Sequence, residues 1–287
     1  MIAGGGRRVA MWMSGLLLCT GLSPAFTRAS AWGETTDPFP YRASAYLLLV
    51  QGEPTWARHG TMPLPPASLT KIMTALLAIE SRRLEEPVTI SADAAGETGS
   101  RLGLKVGDRL KAADLVAATL LMSANDACHA VADHLAGSEA RFVVLMNERA
   151  ATMGLRRTHF ANACGHDQPE HVSTARDLAT LAQTAMNHPT FAAWAGTVRA
   201  TIATTDGSRR FTLENKNELI GRYPGAVGVK SGFTAKAGKC VAAAAERDGR
   251  RVLLVLLNAP DRWWTAVAML DRAFASTSVS RAGALAP

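Results

Sequence analysis

Between Lys111 and His188, apolar residues recur three and four positions apart in four successive segments: "KAADLVAATLLM", "NDACHAVADHLAG", "SEARFVVLMNERAATMGL" and "STARDLATLAQTAMNH". This spacing predicts a run of amphipathic helices. On either side the period changes. "SAYLLLVQGE" (residues 44–53) reads as a strand closed by a Gly-Glu-Pro turn. The last third holds two alternating stretches centred on Asp206-Gly207 and Asp248-Gly249, each a hairpin signal. "TMPLPPA" interrupts regular structure before a helix beginning near Ser68, and a final helix is expected from Trp264 to Ala275. Strands early, helices in the middle and hairpins late do not fit a parallel βαβ array. They predict an α+β fold, an antiparallel sheet flanked by helices plus a mostly helical lobe.

With 48% hydrophobic and 19% charged residues, the 287-residue chain has ample material for one large core. The N-terminus stands apart from it. Arg7 and Arg8 precede an apolar run from Val9 to Leu22, and "ASA" at 29–31 offers the small residues that signal peptidase cuts after. A signal peptide over residues 1–31 and a single domain over 32–287 are therefore expected, with an exported product. The apolar run is too short and too interrupted for a membrane anchor. The arginine pair also fits a twin-arginine signal but lacks its other residues, and Leu18 before Cys19 does not suit a lipoprotein. Removing Arg7, Arg8 and Arg28 with no acid lowers the net charge from +7 to +4. That suits an anionic partner such as a peptide carboxylate, whereas no Lys/Arg block marks nucleic-acid binding. The tail after Ser276 is expected to be loose. Three cysteines remain, allowing one bridge; Cys164 and Cys240, both in turn-rich segments, are the expected pair, with Cys128 a small buried hydrophobe.

The chemistry is carried by "PASLTKIMTALLAIE", where Ser68 and Lys71 fall one helical turn apart. A lysine kept neutral by burial or by a second cation can take the serine proton, making Ser68 a nucleophile without histidine. Chance gives such a spacing readily in a chain of this size, so partners decide its weight. "MSANDA" places Ser123 and Asn125 between two helical segments, and "GVKSGFTAKAG" places Lys230, Ser231 and Gly232 on an edge strand, with the glycine admitting close approach of a ligand backbone. In this order the three form the Ser-x-x-Lys, Ser-x-Asn, Lys-Thr-Gly set of penicillin-interacting serine enzymes, with serine for threonine.

The sequence resembles the low-molecular-mass penicillin-binding proteins of the D-alanyl-D-alanine carboxypeptidase type. The likeness runs from about Ala43 to Phe274 and includes "GLKVGDRL", "MNERAATMGLRRTHFAN", "HVSTARDLATLA" and "LLNAPDRW". It implies a β-lactamase/transpeptidase-like fold without a cofactor, acting on peptidoglycan peptides ending in D-Ala-D-Ala and inhibited by β-lactams. Ser68 would attack the carbonyl between the two D-alanines with Lys71 as base, and the N–H groups of Ser68 and Phe233 would form the oxyanion hole. Ser123, with Lys230, would relay the proton to the leaving amine. Asn125 would hold the substrate amide, and Ser231, Thr234 and Arg262 would serve the terminal carboxylate. "NACGH" (162–166) stands where the family often has Asn-Pro-His-Gly-Leu. The resemblance also implies a soluble periplasmic form, because the second β domain and amphipathic anchor of many relatives find no counterpart.

Other signals are read plainly. "GHDQPEH" (165–171) tempts a metal reading but fits no zinc spacing, and is expected to be a solvated loop. Trp263, Trp264 and the stripe of the last helix are expected in the core. A β-lactamase is disfavoured because no Glu-x-x-Leu-Asn segment lies between the second and third motifs. An endopeptidase acting on cross-links and a scaffold that lost its chemistry remain the alternatives.

Overall fold

The computed structural model describes residues 37–276, so the expected signal peptide, Cys19 and the tail lie outside the described residues. In chain order come β1 (Ala45–Val50), β2 (Glu53–Arg58), a 3-10 turn (Ala67–Thr70), α1 (Lys71–Glu80), β3 (Pro87–Thr89), α2 (Ala92–Gly96), β4 (Arg109–Lys111) and α3 (Ala112–Leu121). They continue with α4 (Asn125–Ala136), α5 (Glu139–Thr152), α6 (Ala175–Met186), α7 (Pro189–Ala195), β5 (Arg199–Ala203) and β6 (Arg210–Glu214). The chain closes with β7 (Ala226–Thr234), β8 (Gly238–Arg247), β9 (Arg250–Leu257) and α8 (Arg262–Ser276). The fold is α+β, with a five-stranded antiparallel sheet of order β2-β1-β9-β8-β7 and two small hairpins, β3-β4 and β5-β6.

The four helical segments of the middle third form α3 to α6. Ser138 and Thr174 start α5 and α6 by accepting hydrogen bonds from the N–H groups of Arg141 and Asp177. Gly137, left-handed at φ 80°, ends α4. Both predicted Asp-Gly hairpins form, as β5-β6 and β8-β9. The first strand differs from expectation. Gln51 and Gly52 both take positive φ, the pattern of a tight two-residue hairpin, so the chain reverses before Glu53-Pro54 and these residues open β2. Pro54 is tolerated there because β2 is an edge strand and the register slips beside it.

The central strands are buried on both faces, which is why "CVAAAA" and "VLLVLL" read as unbroken apolar runs. Leu47, Ala242 and Val255 face a core built from the helices; Leu48, Val241 and Leu254 face a second core closed by Met269 and Leu270 of α8. Helix α1 packs against α3, α4 and α6 and is buried on nearly all sides. Any polar group at its start is therefore held away from water.

Candidate active site

Ser68 lies on the 3-10 turn and Lys71 is the first residue of α1. The turn is shaped from outside. Ala67 is left-handed at φ 49°, and a Cβ added to Gly232 on β7 would stand 2.8 Å from the Ser68 nitrogen. The glycine thus lets β7 approach the backbone of Ser68 itself, rather than the backbone of a ligand as the sequence suggested. Gly165 plays the same part from the other side: its φ is +88°, and a Cβ there would meet the Ala67 carbonyl oxygen at 2.1 Å.

Lys71 is fully buried. Its Nζ donates to Ser68 Oγ at 3.2 Å, to Asn125 Oδ1 at 2.8 Å and to the Cys164 carbonyl at 2.5 Å. Burial pushes its pKa down to about 7; the Glu97 charge works against this and the Lys216 charge with it. A neutral amine beside a serine hydroxyl is a general base in hydrogen-bond range of its proton. Lys230 is also fully buried, with its Nζ on the Ser231 carbonyl at 2.9 Å. Burial first, then the charges of Lys71, Lys216 and Arg262, drive its pKa well below the ordinary lysine value. Burial and mutual repulsion thus favour the neutral amine at Lys71 and Lys230, with Lys216 and Arg262 as the neighbouring positive charges.

The second motif occupies the α3–α4 junction. Ser123 is left-handed at φ 59°, a strained conformation for a non-glycine residue, and its side chain is largely buried. Asn125 is engaged at both ends of its amide, accepting from Lys71 and donating to the Thr98 carbonyl at 2.5 Å. In the third motif Ser231 Oγ donates to the Lys216 carbonyl at 3.3 Å. Thr234 Oγ1 donates to Asp167 Oδ1 at 2.6 Å and accepts from the Ala237 N–H, so this hydroxyl is already committed within the protein. Phe233 is exposed on the edge strand. Arg262 reaches β7 from the start of α8, its Nη1 donating to the Gly232 carbonyl at 2.6 Å.

The family model for D-alanyl-D-alanine carboxypeptidases matches residues 47–261. The chain belongs to the D-alanyl-D-alanine carboxypeptidase family. It is 31% identical over 278 residues to the D-alanyl-D-alanine carboxypeptidase DacF of Bacillus subtilis, covering 93% of this chain and 71% of that relative. A D-alanyl-D-alanine endopeptidase of Escherichia coli is 27% identical over 259 residues, covering 88% of this chain and 83% of the relative. The crystal structure of the Streptomyces K15 DD-transpeptidase superposes with a TM-score of 0.77 at 30% identity, over 84% of this chain and all of that one. Members of this carboxypeptidase family are serine-type peptidases, and this chain is one of them.

Three expectations are corrected here. The disulfide joins Cys128 to Cys164, with Cα atoms 5.9 Å apart, and Cys240 is a buried free thiol. The pairing follows from the fold: Cys128 faces the 162–166 loop from α4, while Cys240 lies on β8 within the sheet. The "GHDQPEH" segment is solvated at Gln168, Pro169 and Glu170, as expected, but its ends are folded into the protein. His171 is 2% exposed, its Nδ1 accepting from the Ala161 N–H. Thr70 already donates its own proton to the Ala67 carbonyl, so His171 donates Nε2–H to Thr70 and is neutral, in keeping with a pKa that burial lowers to about 4. Lastly, Trp264 is 80% exposed, whereas Trp263 is partly buried against the second core with the Arg262 guanidinium over its ring at 4.6 Å, and Ala266, Met269, Leu270 and Ala273 form the buried stripe of α8 as expected.

The structure also brings in residues that spacing alone did not reveal. Asn162 accepts from the N–H groups of Cys164, Gly165 and His166, folding the loop whose carbonyl holds Lys71. Glu97 accepts from His129 at 2.7 Å and His166 at 2.9 Å and stays ionised. Lys216 comes from an aperiodic segment before β7, which offered no signal beyond its charge.

Proposed function

We propose that Ser68 is the acylated nucleophile of a D-Ala-D-Ala carboxypeptidase, with Lys71 as its general base. The observation that carries this reading is the fully buried Lys71 amine, 3.2 Å from Ser68 Oγ and brought to a pKa of about 7. Lys71 takes the hydroxyl proton as Ser68 Oγ attacks the carbonyl between the two terminal D-alanines, and the Ser68 and Phe233 N–H groups receive the oxyanion. Ser123, supported by Lys230, passes the proton to the departing amine. Asn125, tied at both ends, orients Lys71. The terminal carboxylate is met by the Ser231 hydroxyl and the Lys216 ammonium, while Arg262 steadies the strand through the Gly232 carbonyl and Gly232 keeps β7 against the nucleophile. Thr234 fixes the end of the strand through Asp167. Water then releases the acyl-enzyme, and penicillin acylates the same serine.

The domain over residues 32–287 acts in this reading after export, trimming peptidoglycan stem peptides outside the cytoplasmic membrane and so shaping the wall. Arg7, Arg8 and the apolar run to Leu22 support export. Among the described residues no helix is long and apolar enough to cross a membrane. The relative named as an endopeptidase supports a second activity, cleavage of D-alanyl cross-links.

Mass spectrometry of the protein with and without penicillin, beside D-alanine release from diacetyl-Lys-D-Ala-D-Ala, tests the reading. An adduct on Ser68 with D-alanine released, both lost in Ser68→Ala, is expected. An adduct without release points to the endopeptidase, and no adduct rejects Ser68 as nucleophile.

A further inference from the structure

We infer that the cavity between α8 and the segment leading into β7 is a saccharide subsite, which holds the glycan of the cell-wall polymer while the Ser68 cleft works on its peptides. The choice of that glycan rests on the carboxypeptidase reading given above; the saccharide chemistry rests on the cavity itself.

The cavity measures about 690 Å³, within the range of ligand sites. It lies apart from the peptide cleft. Leu219, Tyr223 and Val267 line it, and all three belong to the core that α8 closes, across the sheet from the core that holds Ile72 and Leu76 of α1. Trp263 and Trp264 line it as well. Trp263 keeps part of its surface open, with the Arg262 guanidinium over its ring, and Trp264 is 80% exposed. The fold does not call for a ring at position 264, because the buried stripe of α8 is complete in Ala266, Met269, Leu270 and Ala273. An exposed indole offers its electron-rich face, which attracts the weakly positive C–H bonds on the flat side of a pyranose ring.

The polar groups of the rim select for the same class. Glu218 and Asp261 stand with Arg222, Lys239 and Arg262, so the charges nearly cancel. The cations are already engaged: Arg222 with Glu218 at 3.7 Å, Lys239 on the Pro260 carbonyl at 2.9 Å and Arg262 on the Gly232 carbonyl at 2.6 Å. A fully charged ligand gains little in such a field. Asp261 differs from them. It is exposed and, among the described residues, has no lysine, arginine or histidine nitrogen within ion-pair distance, so both its oxygens are open to hydroxyl donors. Aromatic faces joined to a hydroxyl-accepting carboxylate match a neutral sugar, which is apolar on its ring faces and polar at its edge. A lipid surface is the other common partner of exposed indoles, but it would bring Glu218 and Asp261 against anionic headgroups.

The test titrates the unmodified protein with a peptide-free probe, an oligosaccharide of β-1,4-linked N-acetylglucosamine, by calorimetry. Saturable binding in the millimolar range or tighter is expected, weakened about tenfold or more in Trp264→Ala. Because Trp264 is exposed, its removal leaves the core intact, which circular dichroism checks. A second readout is the ratio of kcat/KM for D-alanine release from whole peptidoglycan to that from diacetyl-Lys-D-Ala-D-Ala. Trp264→Ala should lower this ratio several-fold, and the oligosaccharide should inhibit release from the polymer alone. No saturation in the millimolar range, or a ratio unmoved by Trp264→Ala, overturns the subsite. So does sedimentation with phosphatidylglycerol vesicles that is lost in Trp264→Ala while the oligosaccharide fails to bind, which assigns the indoles to a membrane surface. Oligosaccharide binding with no D-alanine released from either substrate upholds the saccharide site and rejects the carboxypeptidase reading.

Discussion

The two walls of the cleft are built on different plans. On the helical wall Ser68, Lys71 and Asn125 are cross-tied: one amine joins the serine, the asparagine and the Cys164 carbonyl, and a disulfide joins the two segments that supply the last two. On the strand wall Lys230 to Thr234 hang on a single ladder to β8, with Arg262 and Asp167 bracing the free side at two points. Both walls bury a lysine completely, yet only Lys71 touches the nucleophile. The difference separates tasks. Bond-making groups need fixed geometry, whereas a surface that binds an extended peptide must leave backbone groups unpaired.

Removing either member of the reactive pair has the largest expected effect. Ser68→Ala or Lys71→Ala should slow penicillin acylation by about a thousandfold or more, measured by adduct formation over time. A Lys71→Ala variant within about tenfold of the parent would move the base to the strand wall and break the division. Next is Gly232→Ala, whose new methyl must displace β7 from the Ser68 nitrogen; about a hundredfold loss of acylation is expected, with little change in secondary structure by circular dichroism. Replacing Cys128 and Cys164 together by serine should cost about 3–4 kcal/mol of stability for a bridge spanning 36 residues. It should also slow acylation about tenfold, by loosening the groups around Lys71. Chemical denaturation and acylation rates read the two effects separately.

The pH profile sharpens the comparison further. Lys71 acts as base only when neutral, so kcat/KM should fall as pH drops through about 7 instead of near the ordinary lysine value. Because the Glu97 charge raises that pKa, Glu97→Gln should shift the rising limb to lower pH. A limb unmoved by Glu97→Gln would detach it from Lys71. The smallest effect is expected from Arg262→Ala, a few-fold rise in KM with kcat nearly kept, since the arginine braces the strand and leaves the helical wall untouched.

Much of this was legible in the sequence, for identifiable reasons. Helices α3 to α6 are amphipathic and announce themselves by period, and the Asp-Gly hairpins by their turns. The Ser68–Lys71 contact follows from helical spacing, although the serine sits on a 3-10 turn and only the lysine on α1. What stayed hidden depends on distant packing. The burial of His171 arises because the 162–171 loop folds back on the nucleophile turn, and polar composition gave the opposite impression. The partner of Cys164 was hidden because Cys128 sits in a helix whose face could be assigned only once α4 was placed. Trp264 misled through its hydrophobicity: it precedes the buried stripe of α8 and points outward.

The Cys128–Cys164 bridge gives the active site a history. A newly made chain in a reducing compartment already carries its serine and its lysine, but the carbonyl and the amide that seat the lysine's amine are then joined by packing alone. Oxidation fastens them together. The redox state of the surroundings thereby reaches the base: with the thiols reduced the seat of the Lys71 amine is held by packing alone, and with them oxidised it is held by a covalent bond as well.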